Sequence, residues 1–268
     1  MNAWLLNTII ELKLTFRDRQ ALFWTYVFPL LFLFIFCAVF GRGNPKAVAG
    51  LMPGLLCISA MAGGFFGLGI EMVTARDRGV LRRYKLSPIN PSLLISSRLA
   101  ANFLIALSSL LTQIGVAIVV YRMPIAGSFM AMMVMLSAGA LAFLALGLLI
   151  ASVAGSVKVA LALANLLFFP LMFLGGAAVP KFMLPPAIQK ISRLTPSNYM
   201  VEGLGRIMVD GKSLSECGAQ LIVLAVTTVT ALFVAAKLFR WESNEPLSLA
   251  KRAWVAAIAL IFVIAALR

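Results

Sequence analysis

The sequence predicts an all-α polytopic membrane protein. It should carry an N-terminal amphipathic interface helix and six transmembrane helices, with re-entrant helices before the sixth. A short seventh hydrophobic helix, spanning or interfacial, should follow at the C-terminal side. Three observations lead there. Of 268 residues, 62% are hydrophobic and only 12% charged, and the mean hydropathy is +1.01. The apolar residues fall in runs of the ~20 that a bilayer core requires. The 23 Lys and Arg outnumber the 9 Asp and Glu and collect on alternate connections, as cytoplasmic loops do. A soluble domain of this size cannot bury so much apolar surface, which excludes an ordinary soluble enzyme. The absence of His excludes imidazole catalysis. A net charge of +14 would suit nucleic acid, but with this hydropathy it reads as loops facing the cytoplasm, so no nucleic-acid partner is expected.

Residues 1–19 are too polar to span. Leu5, Ile9, Leu12 and Phe16 share one side of a helical wheel, and Asn7, Glu11, Thr15 and Asp18 the other. That pattern suits a helix lying in the cytoplasmic interface. The first span is Ala21–Phe40, the second Leu51–Val73, the third Leu93–Val120, the fourth Ile125–Val153, the fifth Val157–Val179 and the sixth Gly218–Leu238. The run Ala253–Leu267, within a 241–268 extension, is about 22 Å of helix, short of a bilayer core. Lys13, Arg17 and Arg19 precede the first span, and Arg76, Arg78, Arg82, Arg83 and Lys85 follow the second. Both groups belong in the cytoplasm of a cell (inner) membrane protein with a cytoplasmic N-terminus.

Ser59, Gly63 and Gly67, and Gly147, Ala151 and Gly155, form ladders of small residues four apart that let helices approach closely. Asn102, Gln113 and Asn165 lie inside spans as interhelical hydrogen-bonding groups. The outer segment 180–209 holds Pro180, Pro185, Pro186 and Pro196 and reads as short helices dipping in from the outer face and broken at the prolines. Its role is either a structured outer loop or an exit gate built on Pro196, Asn198, Tyr199, Glu202 and Arg206. Glu202 and Arg206, four apart, can pair on one helix face.

The chemistry of enzymes is missing. Gly211-Lys212-Ser213 ends like a phosphate-binding loop, but the upstream glycine is one residue out of register and no strand precedes it. No catalytic site and no metal site is expected. The three cysteines have no ligand spacing and read as small buried hydrophobes. Glu71 sits at the cytoplasmic end of its span, where an ion pair with Arg76 or Arg78 is expected. The segment 74–90 is more than a basic loop. Val80, Leu81 and Tyr84 alternate with Arg78, Arg82 and Arg83 around Gly79, an apolar knob with a basic rim suited to a groove on a soluble partner.

Together these features resemble the permeases of the ABC-2 class of ATP-binding-cassette transporters, over roughly residues 10–240. Arg17-Asp18-Arg19-Gln20 leading to Phe28-Pro29-Leu30 is similar to that family's interface helix entering the first span. Glu71, then Arg76 through Arg83 and Ser87-Pro88, resembles its coupling helix. Leu194-Thr195-Pro196, Asn198-Tyr199 and Glu202 through Arg206 resemble its re-entrant helices. The resemblance implies a permease that binds no cofactor itself. It would pair with a second copy or a homologue and with two cytoplasmic ATPase subunits that use ATP and Mg. It implies export of a hydrophobic drug, lipid or lipid-linked substrate. The competing classes are an ion-gradient carrier and a non-transporting scaffold. A carrier needs an ionisable group buried near mid-membrane, and none of the nine acids lies near the centre of a span.

Overall fold

The computed structural model describes residues 3–17, 19–41, 43–80, 91–179 and 185–238, and every regular element among them is helical. Leu81, Arg82, Arg83 and Tyr84, Pro180 and the run 253–267 lie outside the described residues.

Helix α1 (Ala3–Arg17) is followed by α2 (19–41), whose α-helical turns are interrupted by π turns at Phe23–Val27 and Cys37–Gly41. Helix α3 (Pro45–Asp77) carries a π segment at Gly63–Gly69. Then come α4 (Pro91–Tyr121), α5 (Phe129–Val153) and α6 (Val157–Leu174). Two short helices, α7 (Pro186–Ser192) and α8 (Pro196–Met208), lead to α9 (Gly218–Leu238). Five stretches are long and apolar enough to cross a membrane: Pro45–Asp77, Leu93–Tyr121, Phe129–Val153, Val157–Leu174 and Leu214–Leu238. Thr25–Gly41, which starts four residues after the start of the expected first span and ends one residue past it, is a shorter apolar helix.

Helix α5 is the hub and packs against α3, α4, α6, α8 and α9. In its most apolar stretch 61% of residues are buried, against 11% in α6, so α5 is core and α6 presents its flank outward. Phe65 of α3 and Phe143 of α5, both fully buried, meet edge-on at 6.1 Å. The closest backbone approach lies beside them. A Cβ on Gly147 would land on the Gly64 carbonyl, and one on Gly64 on the Phe143 carbonyl. The expected ladder is therefore displaced by one residue. The π segment rotates Gly64 rather than Gly63 towards α5, and around Gly67 and Gly155 there is open space.

Helix α1 packs on α4 through its polar side. Trp4 Nε1 donates to Ser96 Oγ at 3.1 Å, and Thr8 is buried and donates to the Trp4 and Ser97 carbonyls. Leu5, Leu6, Ile10, Leu14 and Phe16 face outward. A helix on a water-soluble protein would turn the other way; an outward apolar face suits acyl chains.

Pro29 explains the seam between α2 and α4. It has no N–H to give the Thr25 carbonyl one turn back. Ser109 Oγ of α4 donates to that carbonyl instead, at 2.5 Å. One turn on, Gln113 Nε2 donates to the Pro29 carbonyl at 2.9 Å, and Tyr26 and Ser108 share a hydroxyl bond of 2.7 Å. Gln113 thus links two helices, as does Asn102, described below, whereas among the described residues Asn165 bonds to Leu161 of its own helix.

Candidate functional site

Two groups of polar side chains sit at opposite ends of α3, about 33 Å apart along its axis between Gly54 and Arg76. The first is a corner where α3 ends. Arg76 is 5% exposed and reaches across to the end of α5, donating through Nη1 to the Ala151 carbonyl at 3.0 Å and through Nη2 to the Ala154 carbonyl. The next residue does the converse. Asp77 Oδ2 accepts the Val157 N–H at 3.2 Å, at the start of α6. A cation on a helix C-terminus and an anion on a helix N-terminus both complement the macrodipoles and occupy groups the helices cannot satisfy themselves. Two adjacent side chains of α3 thereby fix the α5–α6 turn.

The chain then reverses. Arg78 N–H bonds to the Thr74 carbonyl and Gly79 N–H to the Arg76 carbonyl. Gly79 takes φ of +70°, a left-handed value that a side chain would strain. Arg78 is exposed beyond this turn, with Val80 half-buried. Of the expected coupling residues, Arg78, Gly79 and Val80 thus lie directly after the anchored corner.

One turn back, Glu71 meets α4 rather than Arg76. Arg98 Nη1 lies 3.5 Å from Glu71 Oε1, and Asn102 Nδ2 donates to Glu71 Oε2 at 3.2 Å. Arg98 Nε lies 2.9 Å from Glu11 Oε1 of α1. The expected Glu71–Arg76 pair gives way to this arrangement because residues five apart on a helix point to different sides; three or four would be needed. The network ties α1, α3 and α4 together where the chain turns. Sequence reading missed Arg98 and Glu11 as partners. The available signal was Arg98 and Asn102 one turn apart in an apolar run, together with a lone acid on the polar side of α1.

The second group surrounds a cavity of about 410 Å³ at the other end of α3. Its wall is Phe36 of α2, Gly50, Leu51 and Gly54 of α3, the Gly175–Ala178 turn after α6, and Asn198, Val201 and Glu202 of α8. Gly176, with φ of +75°, ends α6 there. Pro196 is buried in the first turn of α8, where its missing N–H is harmless. Gly203 of α8 takes Met135 of α5, and Gly139 of α5 takes Met200 of α8, which seats α8 on the hub. The i,i+4 pair forms: Arg206 Nη2 lies 2.7 Å from Glu202 Oε1, and Gln220 Nε2 of α9 donates to the same oxygen at 3.2 Å. Asn198 Oδ1 accepts from Ser192 Oγ at 3.1 Å. Asn198 and Glu202 face the cavity, Arg206 stands behind Glu202, and Tyr199 is half-buried outside the lining. Among the described residues no group of three or more His, Cys, Asp or Glu could hold a metal. Ser213 and Glu216 form a capping box at Leu214–Cys217, so the loop-like Gly211-Lys212-Ser213 serves a helix start.

The profile of the ABC-2 type transporter family matches residues 2–209. The chain is 25% identical over 215 residues to the Bacillus subtilis (strain 168) protein "Putative transport permease YvfS", covering 79% of this chain and 87% of that one. It is 23% identical over 199 residues to "ABC transporter G family member 20" of Dictyostelium discoideum, covering 74% of this chain and 27% of that much longer protein.

Proposed function

Because the chain belongs to the ABC-2 type transporter family and is a multi-pass membrane subunit of an ABC transporter, we propose that it is the permease of an exporter whose ATPase subunits dock on Arg78–Tyr84. The observation that carries this is the corner. A segment of alternating basic and apolar residues begins immediately after Arg76 and Asp77, which grip the end of α5 and the start of α6. Movement of a docked subunit would pass through these bonds to α5 and α6, and through Glu71, Arg98 and Glu11 to α4 and α1. The packed hub conveys such a shift because close-packed interiors move as discrete units.

In this reading two ATPase subunits bind ATP and Mg, and this chain binds neither. A second permease copy or homologue completes the path, the N-terminus faces the cytoplasm, and the complex lies in the cell (inner) membrane. Helices α7 and α8 are the re-entrant pair, with Pro196, Asn198, Tyr199, Glu202 and Arg206 forming the outer gate. A path with few fixed charges favours a hydrophobic drug, lipid or lipid-linked substrate. The test is efflux from cells carrying the chain and its ATPase. Efflux should stop when ATP is depleted under a maintained ion gradient, and efflux that persists would replace this reading with a gradient-driven carrier.

A further inference from the structure

We propose that the cavity between α2, α3 and α8 is a binding site for an ammonium-headed amphiphile, with Glu202 receiving the head and Phe36, Leu51 and Val201 the chain. Its composition selects the ligand. Among the described residues the lining is glycine, alanine and larger apolar side chains with two polar exceptions, Asn198 and Glu202, and of these Glu202 alone bears charge. Of the lining glycines, Gly50 leaves open space where a side chain would stand, whereas Gly54 and Gly175 let the Gly175–Ala178 turn pack directly on α3 and α8. A volume of about 410 Å³ falls in the range of small-molecule sites, which pair apolar walls with a few placed polar groups.

The state of the carboxylate supplies the polarity. Glu202 Oε1 already holds both Arg206 Nη2 and Gln220 Nε2. These two bonds fix the side chain and leave Oε2 with no partner among the described residues. A fixed carboxylate oxygen on an otherwise apolar wall accepts a charge-assisted hydrogen bond from an N–H donor. Arg206, in contact with Oε1 at 2.7 Å, offsets part of this charge, and both side chains are about one-third exposed; but Arg206 does not line the cavity, so the acceptor that a ligand meets there is Glu202. An anionic head would meet the carboxylate and no cation among the described lining residues. The other polar wall group is oriented too, since Asn198 Oδ1 accepts from Ser192 Oγ and, among the described residues, the amide nitrogen has no acceptor and can serve an oxygen beside the ammonium. This assigns a ligand class to the gate residues proposed above and depends on that reading only for the direction of movement; binding itself needs no ATPase.

The experiment uses the full chain alone, in phosphatidylcholine nanodiscs, labelled by a decylammonium with a diazirine in its alkyl chain. Labelling should saturate and map to peptides containing Phe36, Leu51 or Val201. Unlabelled decylammonium should compete at least about tenfold better than decanol, the margin expected of a hydrogen bond to a charged group. E202Q should erase that margin while keeping the side-chain amide shape. V201F, which fills the cavity without touching the ion pair, should reduce the labelling of Phe36 and Leu51 in a protein that still purifies as a single species. Unsaturable or scattered labelling, equal competition by decanol, or full labelling of V201F would each overturn the proposal. Failure here with ATP-dependent efflux intact would leave the transporter reading standing.

Discussion

Replacing Arg98 by Met tests whether the α1–α3–α4 network holds the proposed input side of the protein together. The Arg98 side chain is 7% exposed, lies 2.9 Å from Glu11 and 3.5 Å from Glu71, and those partners are 15% and 40% exposed. Removing one member of a buried pair costs about 3–5 kcal/mol, mostly because the other charge is left desolvated. That applies to Glu11 almost in full. Glu71 can rehydrate, and its share falls towards the ~0–1 kcal/mol of a surface pair. Met keeps much of the packing of the arginine stem, so the net loss should be about 2–4 kcal/mol. At roughly 2–4 °C per kcal/mol for a chain of this size, R98M should melt about 4–16 °C lower in nanodiscs. E71Q should cost about 1 kcal/mol or less. In a double-mutant cycle, E11Q should add little once R98M is present, with a coupling of about 1–3 kcal/mol. An R98M protein melting with the parent, or additive E11Q and R98M effects, would refute the network as a structural tie.

Two further predictions concern the hub and the corner. G147V should separate α3 from α5, because its Cβ would meet the Gly64 carbonyl, at a cost of about 3 kcal/mol or more; G155V, set in open space, should leave the melting point within a degree or so by the same thermal assay. D77N should lower stability by only about 0.5–1 kcal/mol, the worth of a charge at a helix N-terminus, yet reduce ATP-dependent efflux far more than that loss explains; efflux that follows stability alone would remove Asp77 from the transmission path.

Much of this architecture could be read from apolar run lengths, because a bilayer imposes one length on every span. The runs ending at Val153 and Leu238 coincide with the ends of α5 and α9. The Glu202–Arg206 pair was legible because both partners lie on one helix at i,i+4. What escaped the sequence depends on three-dimensional register. The π segment at Gly63–Gly69 moves the close contact to Gly64, and no local residue count announces a π turn. Glu71 finds Arg98 and Arg76 finds the end of α5 because α4 and α5 lie on different sides of α3. Of the expected apolar side of α1 only Leu5 and Phe16 are exposed; Ile9 and Leu12 are half-buried and the outward side turns to Leu6, Ile10 and Leu14, because Trp4 and Thr8 dock on α4, which no helical wheel of α1 alone could show.

The central claim is that Arg78–Tyr84 receives a soluble ATPase. The most direct measurement is purification of the tagged chain in mild detergent, with identification and quantification of what accompanies it. The account predicts a stoichiometric ATPase in the parent preparation and its loss from an L81E/Y84E variant that inserts and purifies normally. An ATPase retained in full by that variant would contradict the docking site, and a parent chain that transports with no ATPase attached would contradict the account itself.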